Sequence, residues 1–166
     1  MKRYIEISIK LQQLYLFEDD ENGDPQLLWQ YPVSTAANGA GEQMGSYKTP
    51  RGRHVISDKI GEGEPLFAVF SARQPTGEIW NPQLGAAHPE RDWILSRILW
   101  LDGREPGKNQ GGDVDTHARY IYIHGTSEKH LIGKPASHGC VRMRNADIAD
   151  LFERVEVGMP VNITDW

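Results

Sequence analysis

The sequence predicts a mainly β domain with one substantial helix, on three observations. Tyr4–Lys10 alternates Ile5, Ile7 and Ile9 with Tyr4, Glu6, Ser8 and Lys10, the period of a half-buried strand. Arg119–Gly125 alternates again, with Ile121 and Ile123 on one face and Tyr120, Tyr122 and His124 on the other. Helical spacing shows in one stretch, where Ile148, Leu151, Phe152 and Val155 follow Asn145, a residue suited to capping.

The other elements follow in order. Leu14–Phe17 is a short apolar run, Asn22-Gly23 signals a hairpin turn, and Gln26–Val33 resumes the pattern, which predicts an opening antiparallel meander. Ser34–Gly52, rich in Gly, Ser, Thr and Ala and holding Thr49-Pro50, reads as a long surface loop. Arg53–Ile60 reads as a strand, and Gly61–Gly85 is too dense in Pro and Gly for long elements. Trp93–Leu101 is ambiguous, but its aromatic and β-branched content and the following Asp102-Gly103 favour a strand. Gly107–Thr116 is a polar loop, Gly158 ends the helix, and Pro160–Ile163 forms a closing strand.

The 166 residues fit one domain spanning the whole chain, and 39% hydrophobic with 25% charged residues excludes a largely disordered polymer. A net charge of −5 argues against nucleic acid as the main partner, since phosphate binding needs a basic face. One cysteine excludes an internal disulfide or a zinc site built on CxxC. No apolar run is long enough to span a bilayer. Glu6 and Lys10 interrupt any signal-peptide core, so the expected location is the cytosol if Met1 is the native start and the periplasm if an export signal precedes it.

The chemistry concentrates in Tyr120–Met143 (YIYIHGTSEKHLIGKPASHGCVRM). Cys140 lies in the turn Ser137-His138-Gly139-Cys140; a free cysteine is often a small buried hydrophobe, but a thiol paired with histidine becomes a reactive thiolate. Two histidines compete as base. His124 ends a strand before Gly125, whose carbonyl could orient the imidazole, and it is preferred; His138, two residues from Cys140, is assigned to loop support or to the oxyanion neighbourhood. His130 reads as a solvated surface residue. The backbone N–H groups of Gly139 and Cys140 are the natural oxyanion donors. Arg142 is a candidate carboxylate ligand, with a surface ion pair to an acid such as Asp147 as the structural alternative. Ser137 and Tyr122 complete the candidate substrate-binding residues. Trp80, Trp93 and Trp100 could wall a cleft. A His124–His138–Cys140 zinc site is a minor option for want of a fourth ligand, so neither metal nor cofactor is assigned.

These motifs carry a resemblance. IHGT (Ile123–Thr126), SHGCVRM (Ser137–Met143), a helix and a closing Gly158, Val161 and Ile163 resemble the YkuD family, the catalytic domain of L,D-transpeptidases. Tyr31–Ala36 and Thr49-Pro50-Arg51-Gly52 resemble its further motifs, while Trp80–Thr116 looks like a longer insert than many members have. The resemblance implies a β-sandwich or barrel-like fold with one or two short helices, the main one after the catalytic loop. It implies Cys140 as nucleophile, His124 as base held by the Gly125 carbonyl, and Gly139 with Cys140 as oxyanion donors.

The implied substrate is a peptidoglycan stem peptide or muropeptide, cut between the L-centre of its third residue and D-Ala at the fourth. The expected enzyme is a cytosolic L,D-carboxypeptidase of muropeptide recycling. The alternatives are an exported L,D-transpeptidase that cross-links third-position residues or exchanges D-amino acids, and a non-catalytic stem-binding module. A bell-shaped pH profile is expected of the Cys/His pair. The sequence leaves the oligomeric state open.

Overall fold

The computed structural model describes residues 2–166. The chain opens with the meander β1 (Arg3–Ser8), β2 (Gln13–Asp19) and β3 (Pro25–Pro32). β4 (Gly52–Ile60) follows a long connection, and β5 (Ala68–Ser71) and β6 (Gln74–Ile79) form a tight hairpin. A one-turn helix α1 (Pro82–Ala87) leads to the longest strand, β7 (Ile94–Gly103). Then come β8 (Tyr122–Gly125), β9 (Val141–Met143), α2 (Asn145–Arg154) and β10 (Pro160–Thr164).

The strands form one mixed sheet in the order β3-β2-β1-β10-β4-β7-β5-β6, with β8 also paired to β7 and β9 to β8. The closing strand β10 runs parallel to β1 and antiparallel to β4, so the two ends of the chain are stitched side by side. β7 is the branch point. It pairs with β4 along its second half, with β5 at Ile94 and Leu95, and with β8 from Leu95 to Trp100. Between Leu95 and Ile98 the β7–β8 register shifts, and Ser96 there takes φ 73°. A bulge of this kind bends a strand and lets it serve different neighbours along its length.

The main core lies between the sheet and α2. Ile5, Ile7, Leu14, Leu16, Leu99, Leu101, Ile123 and Ile163 meet Ile148, Leu151 and Phe152 of the helix. Each such burial contributes about 1.5–3 kcal/mol, so α2 is held by packing. As the alternation predicts, Ile121 and Ile123 enter this core, while Tyr122 faces a separate cluster with Ile98, Phe70 and the edge of Cys140. Among the described residues no helix is long and apolar enough to cross a membrane.

Four expectations need correction. The strand expected from Arg119 begins at Tyr122, because Arg119 and Tyr120 lie in a turn and Tyr120 takes φ 57°. Asn145 is the first helical residue and caps nothing; Arg144 holds the N-cap position without a side-chain bond. The Asn145 amide looks across the fold instead, donating to Thr126 O at 2.8 Å and accepting from Ser96 Oγ at 2.6 Å. The presumed insert Trp80–Thr116 contains β7, the centre of the sheet. The Ser34–Gly52 connection is no simple surface loop, because Ser34, Thr35, Ala36 and Thr49 are buried beneath the Cys140 turn.

Candidate active site

The site is assembled from the ends of β7, β8 and β9 and the turn before β9. β8 and β9 run parallel with His124 beside Arg142, so the strand that carries the histidine aligns the segment that follows the cysteine. Gly125 permits this crossing. A Cβ there would meet Leu95 O at 2.6 Å and overlap the Asn145 amide.

The Ser137–Cys140 turn is tied down by its own backbone and by the chain beneath. Ser137 Oγ donates to Cys140 O at 2.6 Å and accepts the Gly139 N–H at 3.2 Å. Thr49 Oγ1 donates to Gly139 O at 2.9 Å, and the Ala136 and Ser137 N–H groups both donate to Thr35 O. Gly139 takes φ 132°, a conformation that side-chain-bearing residues avoid. Arg119 braces the 41–48 segment from above, donating to Lys48 O at 2.7 Å.

His124 is buried, and its Nδ1 lies 2.6 Å from Gly125 O. A carbonyl only accepts, so Nδ1 carries the proton and Nε2 is left with its lone pair. Burial lowers the His124 pKa, against the opposing pull of Asp92 and the Gly125 carbonyl, so the ring is neutral near pH 7.

Cys140 lines the same cavity as His124 but is not hydrogen-bonded to it. The thiol donates to Tyr120 O at 3.4 Å and accepts the Tyr122 N–H at 3.3 Å. Its dense surroundings push its pKa up to about 12, although Cys140 keeps a partly exposed face on the cavity. The sequence pairing implies a thiol hydrogen-bonded to histidine; in the structure the thiol is bonded to Tyr120 O and the Tyr122 N–H instead.

Asp92 is the residue that sequence reasoning missed. It receives Arg142 Nη2 at 3.0 Å and lies 3.5 Å from His138 Nδ1. Burial alone would raise its carboxyl; His124, Arg142 and His138 outweigh this and hold it below the usual carboxylate range. No spacing in Glu90-Arg91-Asp92-Trp93 signals this role, because every partner lies more than 30 residues away.

Several candidate roles change accordingly. Arg142 is 4% exposed and committed to Asp92, while Asp147 pairs with Arg144 at 3.9 Å; Arg142 is therefore neither a free carboxylate ligand nor a surface residue. Ser137 is buried and spends its hydroxyl within the turn, which makes it scaffold and not a substrate ligand. The Gly139 N–H, bonded to Ser137 Oγ, is not free for an oxyanion, whereas the Cys140 N–H makes no hydrogen bond among the described residues. The His138 side chain is 65% exposed at the cavity rim, edge-on to Tyr47. Tyr122 lines the cavity, its hydroxyl accepting from Arg73 Nη1 at 3.1 Å. His130 is exposed.

Trp80 and Trp93 pack with Leu95 and Leu84 behind the site and do not wall it. Trp100 supports it from behind, edge-on to Tyr122 and stacked on His117 at 3.8 Å. Among the described residues no cluster of three His, Cys, Asp or Glu side chains could hold a metal ion. His124, His138 and Cys140 thus fail as a zinc site.

The cavity has a volume of about 460 Å³ and brings together Cys140, His124, Asp92, Arg142, His138 and Arg73. A second cavity of about 430 Å³, lined by Ala37, Asn38, Tyr47, Ser137 and His138, adjoins it across His138.

Fold and site together define a mainly β domain in which a cysteine and a histidine line one cavity. The YkuD family, the L,D-transpeptidase catalytic domain, matches residues 2–163, and the chain belongs to it. It is similar to the "Probable L,D-transpeptidase YbiS" of Escherichia coli K12, with 53% identity over 130 residues, 74% of this chain and 42% of that protein. The "Probable L,D-transpeptidase ErfK/SrfK" of Salmonella typhimurium shows 49% identity over 132 residues, again 74% and 42%. The chain thus spans less than half the length of these relatives. Among solved structures, Bd1075 of Bdellovibrio bacteriovorus superposes with a TM-score of 0.61 over 99% of this chain and 47% of its own, at 15% identity. An L,D-transpeptidase mutant from Enterococcus faecium gives 0.58 over 99% and 50%, also at 15% identity. These two likenesses show the fold.

Proposed function

We propose that this domain catalyses acyl transfer on peptidoglycan stem peptides through Cys140. The observation that carries the proposal is the shared cavity, which Cys140 and His124 both line, with the His124 Nδ1 edge held on Gly125 O. When the stem enters, the thiol turns from Tyr120 O toward the imidazole. His124 takes its proton as sulfur adds to the carbonyl of the third residue. The Cys140 N–H faces the oxyanion. Collapse breaks the C–N bond, and the proton on His124 passes to the departing amine of D-Ala. The thioester is then opened by an acceptor, which restores the thiol. The lone donor makes this oxyanion site sparse, and the Tyr122 N–H, already at the sulfur, stabilises the developing thiolate.

The acceptor distinguishes an L,D-transpeptidase from an L,D-carboxypeptidase. Transfer to the amine of a second stem is the reading we favour, because the cavity across His138 offers that stem a place beside the thioester. The names of the relatives point the same way. Hydrolysis is the second reading, favoured by the solvent-facing side of Cys140, which leaves a thioester open to water. Transfer belongs at the wall and hydrolysis among soluble muropeptides in the cytosol, which cell fractionation tests.

The direct experiment is product analysis by mass spectrometry with disaccharide tetrapeptide, with and without a second amine-bearing stem. Cross-linked or exchanged product supports transfer, and tripeptide plus free D-Ala alone supports hydrolysis. Unchanged tetrapeptide refutes the scheme and leaves the stem-binding module, while equal turnover by Cys140→Ala refutes Cys140 as the nucleophile.

A further inference from the structure

We propose that Arg73, at the tip of the β5–β6 hairpin, is the carboxylate receptor of this cavity and selects substrates that are anionic beside the bond Cys140 attacks; this rests on the acyl-transfer reading above. Two guanidinium groups line the cavity, those of Arg73 and Arg142. Arg142 is spent on Asp92. Among the described residues Arg73 has no carboxylate at ion-pair distance. Its one side-chain hydrogen bond goes to Tyr122 Oη, at 3.1 Å.

The guanidinium is held in place nonetheless. It lies over the Trp100 ring at 4.7 Å and the Tyr120 ring at 4.9 Å. Stacking on aromatic faces fixes the plane of an arginine while leaving its edge free, and the N–H groups that Arg73 does not spend on Tyr122 suit a two-pronged grip on a carboxylate. Tyr122 links it to the reacting centre, since the same residue receives Arg73 on its hydroxyl and donates its N–H to Cys140 Sγ.

The hairpin carries a second mark. Its two-residue loop is Ala72-Arg73, with φ 47° and 65°. Such loops favour Asn-Gly, and two side-chain-bearing residues in the left-handed region cost about 1 kcal/mol or more each. Strain of this kind persists where other contacts hold it, and here the Trp100, Tyr120 and Tyr122 contacts hold Arg73 over the cavity.

Stem peptides offer two carboxylates near the scissile bond, that of the departing D-residue and a free one on the donor side. The test compares three tetrapeptides: unmodified, amidated at the C-terminus, and amidated on the donor side. Unaltered protein should prefer the unmodified peptide over one amidated form by about tenfold or more in kcat/KM, the usual worth of a charge-assisted bond. Arg73→Ala should collapse that gap, mainly through KM, and Arg73→Lys should restore part of it; the amidation that matters identifies the carboxylate. Equal loss on all three peptides in Arg73→Ala, or no preference in unaltered protein, overturns the proposal. If nothing turns over, calorimetric titration of Cys140→Ala protein decides. Binding that requires the carboxylate and vanishes with Arg73→Ala keeps the receptor while the reaction falls; binding indifferent to amidation removes it.

Discussion

The proposed proton relay depends on a contest at His124 that burial wins. Desolvation disfavours the imidazolium, while Asp92 and the Gly125 carbonyl favour it. The base therefore stays deprotonated to lower pH than an ordinary histidine, whose pKa is about 6.5. The acid limb of kcat/KM is expected below that value, and a limb at or above it in a pH–rate profile contradicts the assignment. His124→Gln, with its fold checked by circular dichroism, should lose about 10²–10⁴ in rate. Asp92→Asn tests the hub differently, by leaving the buried Arg142 charge without its carboxylate. Breaking such a pair costs about 3–5 kcal/mol in a dry interior, but Asp92 is 43% exposed and water screens part of that, so about 2 kcal/mol is expected. The Asp92 carboxyl is depressed in the fold, so its contribution is present above its unfolded pKa of about 3.9 and is lost as pH falls through the folded value. Urea melts of the two proteins should thus differ at pH 7 and converge as pH falls below about 4; a constant difference refutes the linkage.

Single side chains between elements decide the shape of the Ser137–Cys140 turn. Thr49 bridges the buried connection and the turn, accepting the Ala36 N–H at 3.0 Å and donating to Gly139 O. Thr49→Val keeps the shape and removes both bonds, leaving a buried N–H and carbonyl unpaired. A loss of about 2 kcal/mol is expected, with a fall in turnover from the loosened turn; a thermal melt and a kinetic assay on one preparation check it, and turnover unchanged despite lower stability would separate the turn from the chemistry. What the sequence reveals at this scale follows the range of the forces. The alternation in β1 and β8, the helical spacing of α2 and the SHGC turn are local patterns, and the chain adopts each of them. The role of Asn145 is set by Ser96 and Thr126, which lie 49 and 19 residues away, so local capping preference misreads it. Asp92 and Arg73 escape notice for the same reason, their partners arriving only when β7, β8 and β9 pair. The spent donors of Gly139 and Ser137 were equally hidden, since composition shows which groups exist and not which are already bonded.

At the scale of the whole molecule the site depends on one core. α2 presses Ile148, Leu151 and Phe152 onto the strands that carry Leu99, Ile123 and Met143, and these strands in turn position His124 and Cys140. Phe152 is 2% exposed, and Lys59 Nζ caps its ring at 4.3 Å, so neighbouring side chains cannot collapse freely into the space it would leave. Phe152→Ala is therefore expected to cost about 3–5 kcal/mol. For a domain of this length that is a fall of roughly 10 °C or more in melting temperature. If the core is a single cooperative unit, far-UV signal and catalytic turnover should be lost together on heating the variant. A turnover that fails well below the melt would mean that the β8–β9 end unfolds independently, and the site would then rest on its local hydrogen bonds and not on the core beneath it.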